Sequence, residues 1–212
     1  FGFGDITAWS SKGEPLGPMP KEHSDQVFGL ALLGDLLVSG GYDSKVKRFS
    51  IRELTCTATL TEHKGYVKSV DVSEEVIVSG SLDKTARLWL RDGTASRHTL
   101  QHPDEVLAVS LAGDVLVTGC DDHVVRMFTV SSGKKTRELR GHSGLVCSVA
   151  LCGGVLLSGS TDKKVRVWSV AEGEEGKCVA TLEGHTEAAN GVALLPSGGG
   201  RIASLGEREL MM

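Results

Sequence analysis

Apolar residues along this chain come in short runs closed off by Gly, Asp or Ser, and helical periodicity is nowhere sustained. Residues 146–151 form one apolar run, ended by Gly153 and Gly154. Residues 155–158, the turn 159–162 and the alternating run Val165, Arg166, Val167, Trp168 follow. After a loop around 173–176, residues 178–182 complete the set. Runs of this length bounded by turn residues predict β-strands joined as hairpins. The turns carry Ser-Leu-Asp-Lys and Ser-Thr-Asp-Lys, where the Asp side chain can bond nearby backbone amides.

The same four strands can be laid over earlier stretches, for example 27–33, 36–39, 46–49 and 56–60. A polar signature keeps step with them. A His, an Asp 20 residues on and an aromatic six further recur as His23/Asp43/Phe49, His63/Asp83/Trp89, His102/Asp122/Phe128 and His142/Asp162/Trp168. Four residues before each Asp stands a hydroxyl: Ser39, Ser79, Thr118 and Ser158. The His-to-His steps of 40, 39 and 40 residues match the length at which single supersecondary units stack into propellers or solenoids. The chain is therefore expected to hold four complete four-stranded units. Upstream, 6–9 reads as the third strand of an earlier unit and 15–19 as a poor fourth. Downstream, His185 opens a fifth unit with strands 192–195 and 202–204, which inserts about three residues and has Arg208 where the Asp would fall. Residues 196–200 read as a surface loop. Starting and stopping in mid-unit suggests a piece of a longer protein with an incomplete ring.

Composition narrows the function. A formal charge of −4 over 212 residues argues against a dominant phosphate-binding surface, which needs clustered Lys and Arg. No apolar run approaches the roughly 18 to 20 residues needed to span a bilayer as a helix. The five cysteines, odd in number and set in apolar strand-like surroundings, read as reduced thiols of a cytoplasmic or nuclear protein. Cys147 and Cys152 lack the CxxC pairing of a zinc site. The four histidines fall one to a unit, so they are not expected to converge on a metal. The glycines at 198–200 lack the Lys-Ser/Thr of a phosphate loop. No cofactor is expected.

With Gly141-His142, Gly184-His185, Ser79-Gly80-Ser81-Leu82-Asp83, Ser158-Gly159-Ser160-Thr161-Asp162 and Val165-Arg166-Val167-Trp168 on view, the chain resembles the WD40 repeat family. The resemblance covers roughly residues 22 to 195 and implies an all-β propeller of four-stranded blades around a channel. On that reading, 1–21 end a preceding blade, 22–195 are the repeats and 196–212 a degenerate partial repeat or tail. Phe49 and Phe128 depart from the family's Trp, and Glu62 and Gln101 from the Gly before the His, replacements expected to weaken individual blades.

Ser, His and Asp recurring together invite a nucleophilic-catalysis reading. The resemblance implies a different arrangement, in which the Trp N–H donates to the hydroxyl, the hydroxyl bonds the His and the His bonds the Asp. Blades two (His63, Ser79, Asp83, Trp89) and four (His142, Ser158, Asp162, Trp168) can form the whole chain. Blades one (His23, Ser39, Asp43, Phe49) and three (His102, Thr118, Asp122, Phe128) can form only part of it, because Phe has no donor. No G-x-S-x-G element accompanies the serines, and no enzymatic activity is expected.

The resemblance also implies a partner-binding top face, at positions three and five after each His and one before each Asp. Here these are Gln26, Phe28 and Tyr42; Tyr66, Lys68 and Leu82; Glu105, Leu107 and Asp121; Leu145, Cys147 and Thr161. Apolar and aromatic residues such as Phe28, Tyr42, Tyr66, Leu82, Leu107 and Leu145 are the kind found at interface anchors. With one Lys and no Arg among the twelve, capture of phosphorylated segments is disfavoured. The expected function is a scaffold or adaptor that binds other proteins or peptide segments, with a partner's basic residue facing Glu105 and Asp121. A substrate-recognition subunit of a ubiquitin ligase, of F-box/WD type, is the first alternative. An RNA-associated or ribosome-biogenesis propeller is the second, against the acidic balance. Membrane, nucleic-acid and small-molecule partners are not expected.

Overall fold

The computed structural model describes residues 5–171, 176–194 and 202–206, and among them every regular element is a strand. The strands fall into two compact units that divide after Leu100. In the first, β1 (Thr7–Trp9) pairs with β2 (Pro15–Pro18) as a two-stranded sheet. Blade one follows as β3 (Val27–Leu33), β4 (Leu36–Gly41), β5 (Val46–Ser50) and β6 (Thr55–Leu60). Blade two is β7 (Val67–Val72), β8 (Val76–Ser81), β9 (Thr85–Leu90) and β10 (Ser96–Gln101). The second unit holds blade three, β11 (Val106–Ala112), β12 (Val115–Cys120), β13 (Val125–Thr129) and β14 (Lys135–Leu139). Blade four is β15 (Val146–Cys152), β16 (Val155–Ser160), β17 (Val165–Ser169) and β18 (Lys177–Leu182). A last two-stranded sheet pairs β19 (Ala189–Leu194) with β20 (Ile202–Gly206). Each blade is an antiparallel meander, as short runs joined by tight turns require. Arg208, residue 195 and the loop 196–200 lie outside the described residues.

Strand alternation sends each blade's two faces to different neighbours. In blade one, Val38 on β4 joins Val67, Val70, Ile77 and Trp89 of blade two in one buried cluster. The opposite face sends Leu37 and Phe49 against Ile6, Ala8 and Met19 beside the β1–β2 sheet. Leu30 and Leu32 on β3 stay 55% and 59% exposed. In the second unit, Val117, Val125 and Met127 of blade three pack with Val146, Val149, Leu156 and Trp168 of blade four. The core thus lies between blades, where apolar surface removed from water contributes roughly 25 cal/mol per Å².

The residue after each hydroxyl is Gly, and in blades one, three and four the packing requires it. A Cβ on Gly40 would sit 2.5 Å from Val67 Cγ1, and one on Gly119 would sit 2.8 Å from Val146 Cγ1. The hydroxyl therefore faces inside its own blade while the glycine lets the next blade's first strand come close.

Candidate functional site

One end of the blades is built by the turns that carry the Asp residues. The residue after each Asp adopts positive φ: Ser44 (62°), Lys84 (65°), His123 (68°) and Lys163 (68°). A side chain in that region costs energy, and the preceding carboxylate holds the turn. The Asp Oδ1 accepts the amide two residues on, from Lys45 (3.1 Å), Thr85 (3.0 Å), Val124 (3.2 Å) and Lys164 (3.0 Å). In blades one, two and four, Oδ2 accepts the amide just after the His, from Ser24 (3.2 Å), Lys64 (2.9 Å) and Ser143 (3.1 Å). One carboxylate so ties the loop before a blade's first strand to the turn between its second and third.

The same carboxylates reach the histidines. His63 Nδ1 lies 2.7 Å from Asp83 and Nε2 lies 2.7 Å from Ser79 Oγ, which accepts the Trp89 indole N–H at 2.9 Å. In blade four, His142 stands 2.8 Å from both Asp162 and Ser158, and Trp168 donates to Ser158 at 2.8 Å. A carboxylate only accepts and an indole N–H only donates, so one direction of bonding satisfies the row: Trp N–H to Ser, Ser O–H to Nε2, Nδ1–H to Asp. In blade one His23 bonds Asp43 (2.9 Å) and Ser39 (2.6 Å), with Phe49 in the indole's place.

Blade three differs from the expected partial repeat. His102 Nε2 bonds Thr118 at 2.8 Å, but the Asp122 bonds go to the Val124 amide and to both terminal nitrogens of Arg126, at 2.9 and 2.5 Å. Two substitutions explain the change. Pro103 follows His102 and has no amide to offer the carboxylate, and the neutral Gln101 cannot neutralise Arg126, which is 97% buried. In blade two the corresponding Arg87 pairs with Glu62, which also accepts the Ser96 amide (2.8 Å) and hydroxyl (2.7 Å). The expected weakening by Glu62 is therefore offset, because the carboxylate brings its own partners. In blade four, Gly141 makes room for Arg166: a Cβ there would lie 3.1 Å from its guanidinium.

Ser39, Ser79, Thr118 and Ser158 are 0% exposed, and in blades two and four the hydroxyl is already shared between Trp and His. All four hydroxyls are thus closed off from solvent. Two residues outside the expected rows continue the pattern. His185 bonds Ser204 at 2.7 Å, a pair hidden in the sequence by the inserted residues. Trp9, 14 residues before His23 just as Phe49 precedes His63, is 61% exposed. Of the cysteines only Cys120 is fully buried, and burial pushes its thiol up to about 11.

Burial disfavours the imidazolium and holds His23 and His142 below their usual 6.5, against the opposing pull of Asp43 and Asp162. Their short contacts with Asp are therefore bonds of neutral rings, although the distances alone fit ion pairs. Burial would raise Asp162, but bonds from His142 and the Ser143 and Lys164 amides hold it below the usual 3.8. Asp83 is lowered too, burial being outweighed by His63, Thr85 and the Lys64 amide. Both classes act in one direction, since the unfolded chain binds protons first. Stability is expected to be complete above about pH 6.5, to decline as the histidines of the unfolded chain titrate, and to fall again below about pH 4. Urea midpoints across that range check it. A midpoint that rises from pH 7 to pH 5 would mean charged histidines in the fold.

Within each blade, the three expected surface positions lie beside its own Asp turn. The residues five after each His, Phe28, Lys68, Leu107 and Cys147, are the extra residues where the ladder between first and second strands slips register. Such bulges re-aim a side chain out of the sheet. The other two positions of each blade are joined by backbone bonds: Tyr42 to Gln26 (2.9 Å), Leu82 to Tyr66 (3.0 Å), Asp121 to Glu105 (2.9 Å) and Thr161 to Leu145 (3.0 Å). In the first unit, Tyr42 stacks on Phe28 and on Tyr66, each at 4.2 Å between centroids and within 12° of parallel. Lys68 Nζ sits 3.8 Å from the Phe28 centroid and 3.4 Å from the Tyr42 hydroxyl. In the second unit, Leu107 and Leu145 are half-buried, and Glu105 and Asp121 stand side by side with no ion pair among the described residues.

Four-stranded antiparallel blades, three of them fastened by a buried row running from hydroxyl to His to Asp, define a β-propeller architecture of WD40 type, with four complete blades and a two-stranded piece at either end. The chain belongs to the WD40 family: residues 54–89, 94–129 and 133–169, just over half of it, match the WD domain, G-beta repeat. It is 42% identical over 50 residues to the nuclear distribution protein PAC1 of Candida glabrata, a match spanning 24% of this chain and 11% of that protein. Among solved structures it is similar to the computationally designed Ika8 protein, with a TM-score of 0.79, 21% identity, and coverage of 97% of this chain and 66% of that one. The designed Ika4 protein gives a TM-score of 0.66 at 23% identity, covering 71% of this chain and 95% of that one.

Proposed function

We propose that this chain works as a non-enzymatic scaffold or adaptor that docks other proteins on the end of its blades carrying the bulges and Asp turns. The observation that carries the reading is the stack of Phe28, Tyr42 and Tyr66, whose outer rings remain 45% and 44% exposed. Large aromatic side chains already held in one arrangement are the kind of anchor that dominates protein interfaces, because little rotamer freedom is lost on binding. Membership of the WD40 family supports it, as does the burial of every hydroxyl in the polar rows. In the second unit, the acidic residues Glu105 and Asp121, joined through their backbones, suit a basic residue of a partner. The test is affinity capture with the purified chain and its Tyr42→Ala and Leu82→Ala variants, each first matched to the parent by circular dichroism. Both variants should recover markedly less partner. Equal recovery by all three would sink the assignment to this surface.

A further inference from the structure

We infer that the stack in the first unit, together with Lys68, recognises a peptide segment in which a carboxylate stands beside an aromatic side chain. The inference rests on the docking reading above and adds the chemistry of the partner. Tyr42 is the middle ring and Lys68 sits over Phe28, so Tyr66 is the outer ring left to a ligand. Lys68 is held over this surface by the Phe28 ring and the Tyr42 hydroxyl, 5.3 Å from the Tyr42 centroid, and no carboxylate pairs with it among the described residues.

Of the carboxylates near the stack, Asp25 accepts the Gln26 amide at 2.7 Å and the two in the turns are fully engaged. Asp43 serves His23 and the amides of Ser24 and Lys45, and Asp83 serves His63, Thr85 and the Lys64 amide. Lys45 and Lys64, beside Tyr42 and Tyr66 in the sequence, likewise have no ion pair among the described residues. The surface therefore presents positive charge together with aromatic area, complementary to an acidic, aromatic segment. A cationic ligand is disfavoured because the ammonium of Lys68 already occupies the ring surface. A phosphate is disfavoured because the cations here are ammonium groups without the guanidinium fork, while Arg87 is committed to Glu62 and Arg48 to the carbonyls of Arg91 and Asp92.

Fluorescent dodecapeptides of Gly and Ser with a central Asp-Phe, Asn-Phe, Asp-Gly, Lys-Phe or phosphoserine-Phe pair provide the probes, and anisotropy provides the affinity. With the parent chain, Asp-Phe should bind roughly tenfold tighter than Asn-Phe or Asp-Gly, the scale of one charge-assisted bond. In Lys68→Met, which keeps the apolar stem, Asp-Phe should drop to the Asn-Phe level while Asn-Phe is unchanged. Tyr66→Ala should weaken both peptides that carry Phe. Equal binding of Asp-Phe and Asn-Phe, no detectable binding of Asp-Phe, or tighter binding of Lys-Phe, phosphoserine-Phe or an oligouridine overturns the inference. Captured partners separate the two levels of claim. If Tyr42→Ala loses them while Lys68→Met keeps them, the surface stands and the acidic segment falls. If neither variant changes recovery, both fall.

Discussion

Ser158→Ala is expected to destabilise the protein by roughly 3 kcal/mol, because two buried groups lose their partner at once. Ser158 Oγ accepts the Trp168 indole N–H and bonds His142 Nε2, each at 2.8 Å, and the residue is 0% exposed. Water cannot enter to replace the hydroxyl, so the full desolvation penalty of both nitrogens appears. Asp162→Ala should cost about as much, since it strands His142 Nδ1 and releases the Ser143 and Lys164 amides that close the turn. Trp168→Phe should cost roughly half of that, because it removes one donor and leaves the Ser–His–Asp part intact. Blades one and three already place Phe49 and Phe128 at this position, 1% and 4% exposed. Denaturant midpoints with unchanged slopes measure the series. Parent-like stability in Ser158→Ala or Asp162→Ala would mean that the polar row does not hold the blade.

Gly119→Ala is expected to cost about 2 kcal/mol, an effect of overpacking rather than of backbone freedom. Its added Cβ would meet Val146 Cγ1 at 2.8 Å and the Val146 carbonyl oxygen at 2.9 Å. Val146 is 0% exposed and belongs to the cluster joining blades three and four, so it can retreat only by moving β15. Gly34→Asn supplies the contrast. Gly34 has φ of 60° and open space around it, and Asn tolerates that conformation, so the change should stay within about 0.5 kcal/mol. If the two variants are equally mild, the close approach of successive blades is looser than the distances imply.

The strands and the polar rows were legible in the sequence because both follow local rules. A half-buried strand alternates, a tight turn needs Asp or Gly, and a row of bonds between three short segments keeps a fixed spacing of 20 and six residues. The bulges at Phe28, Lys68, Leu107 and Cys147 carry no residue signature, since a slipped register belongs to a pair of strands. The Ser204 partner of His185 was missed because the insertion lengthens their spacing to 19 residues.

Sequence alone thus determined the β class and the repeat, and the resemblance to the WD40 family supplied the members of each row in blades two and four. Tertiary structure decided the rest. Asp122 is taken by Arg126, which also reaches Glu138 at 3.4 Å, because Pro103 offers the carboxylate no amide and Gln101 offers the cation no charge. The three stacked rings come from two blades and meet only once β3 and β7 lie side by side. Neither outcome is written in any one stretch of chain, because each depends on which charges and faces the neighbouring strands leave unmatched.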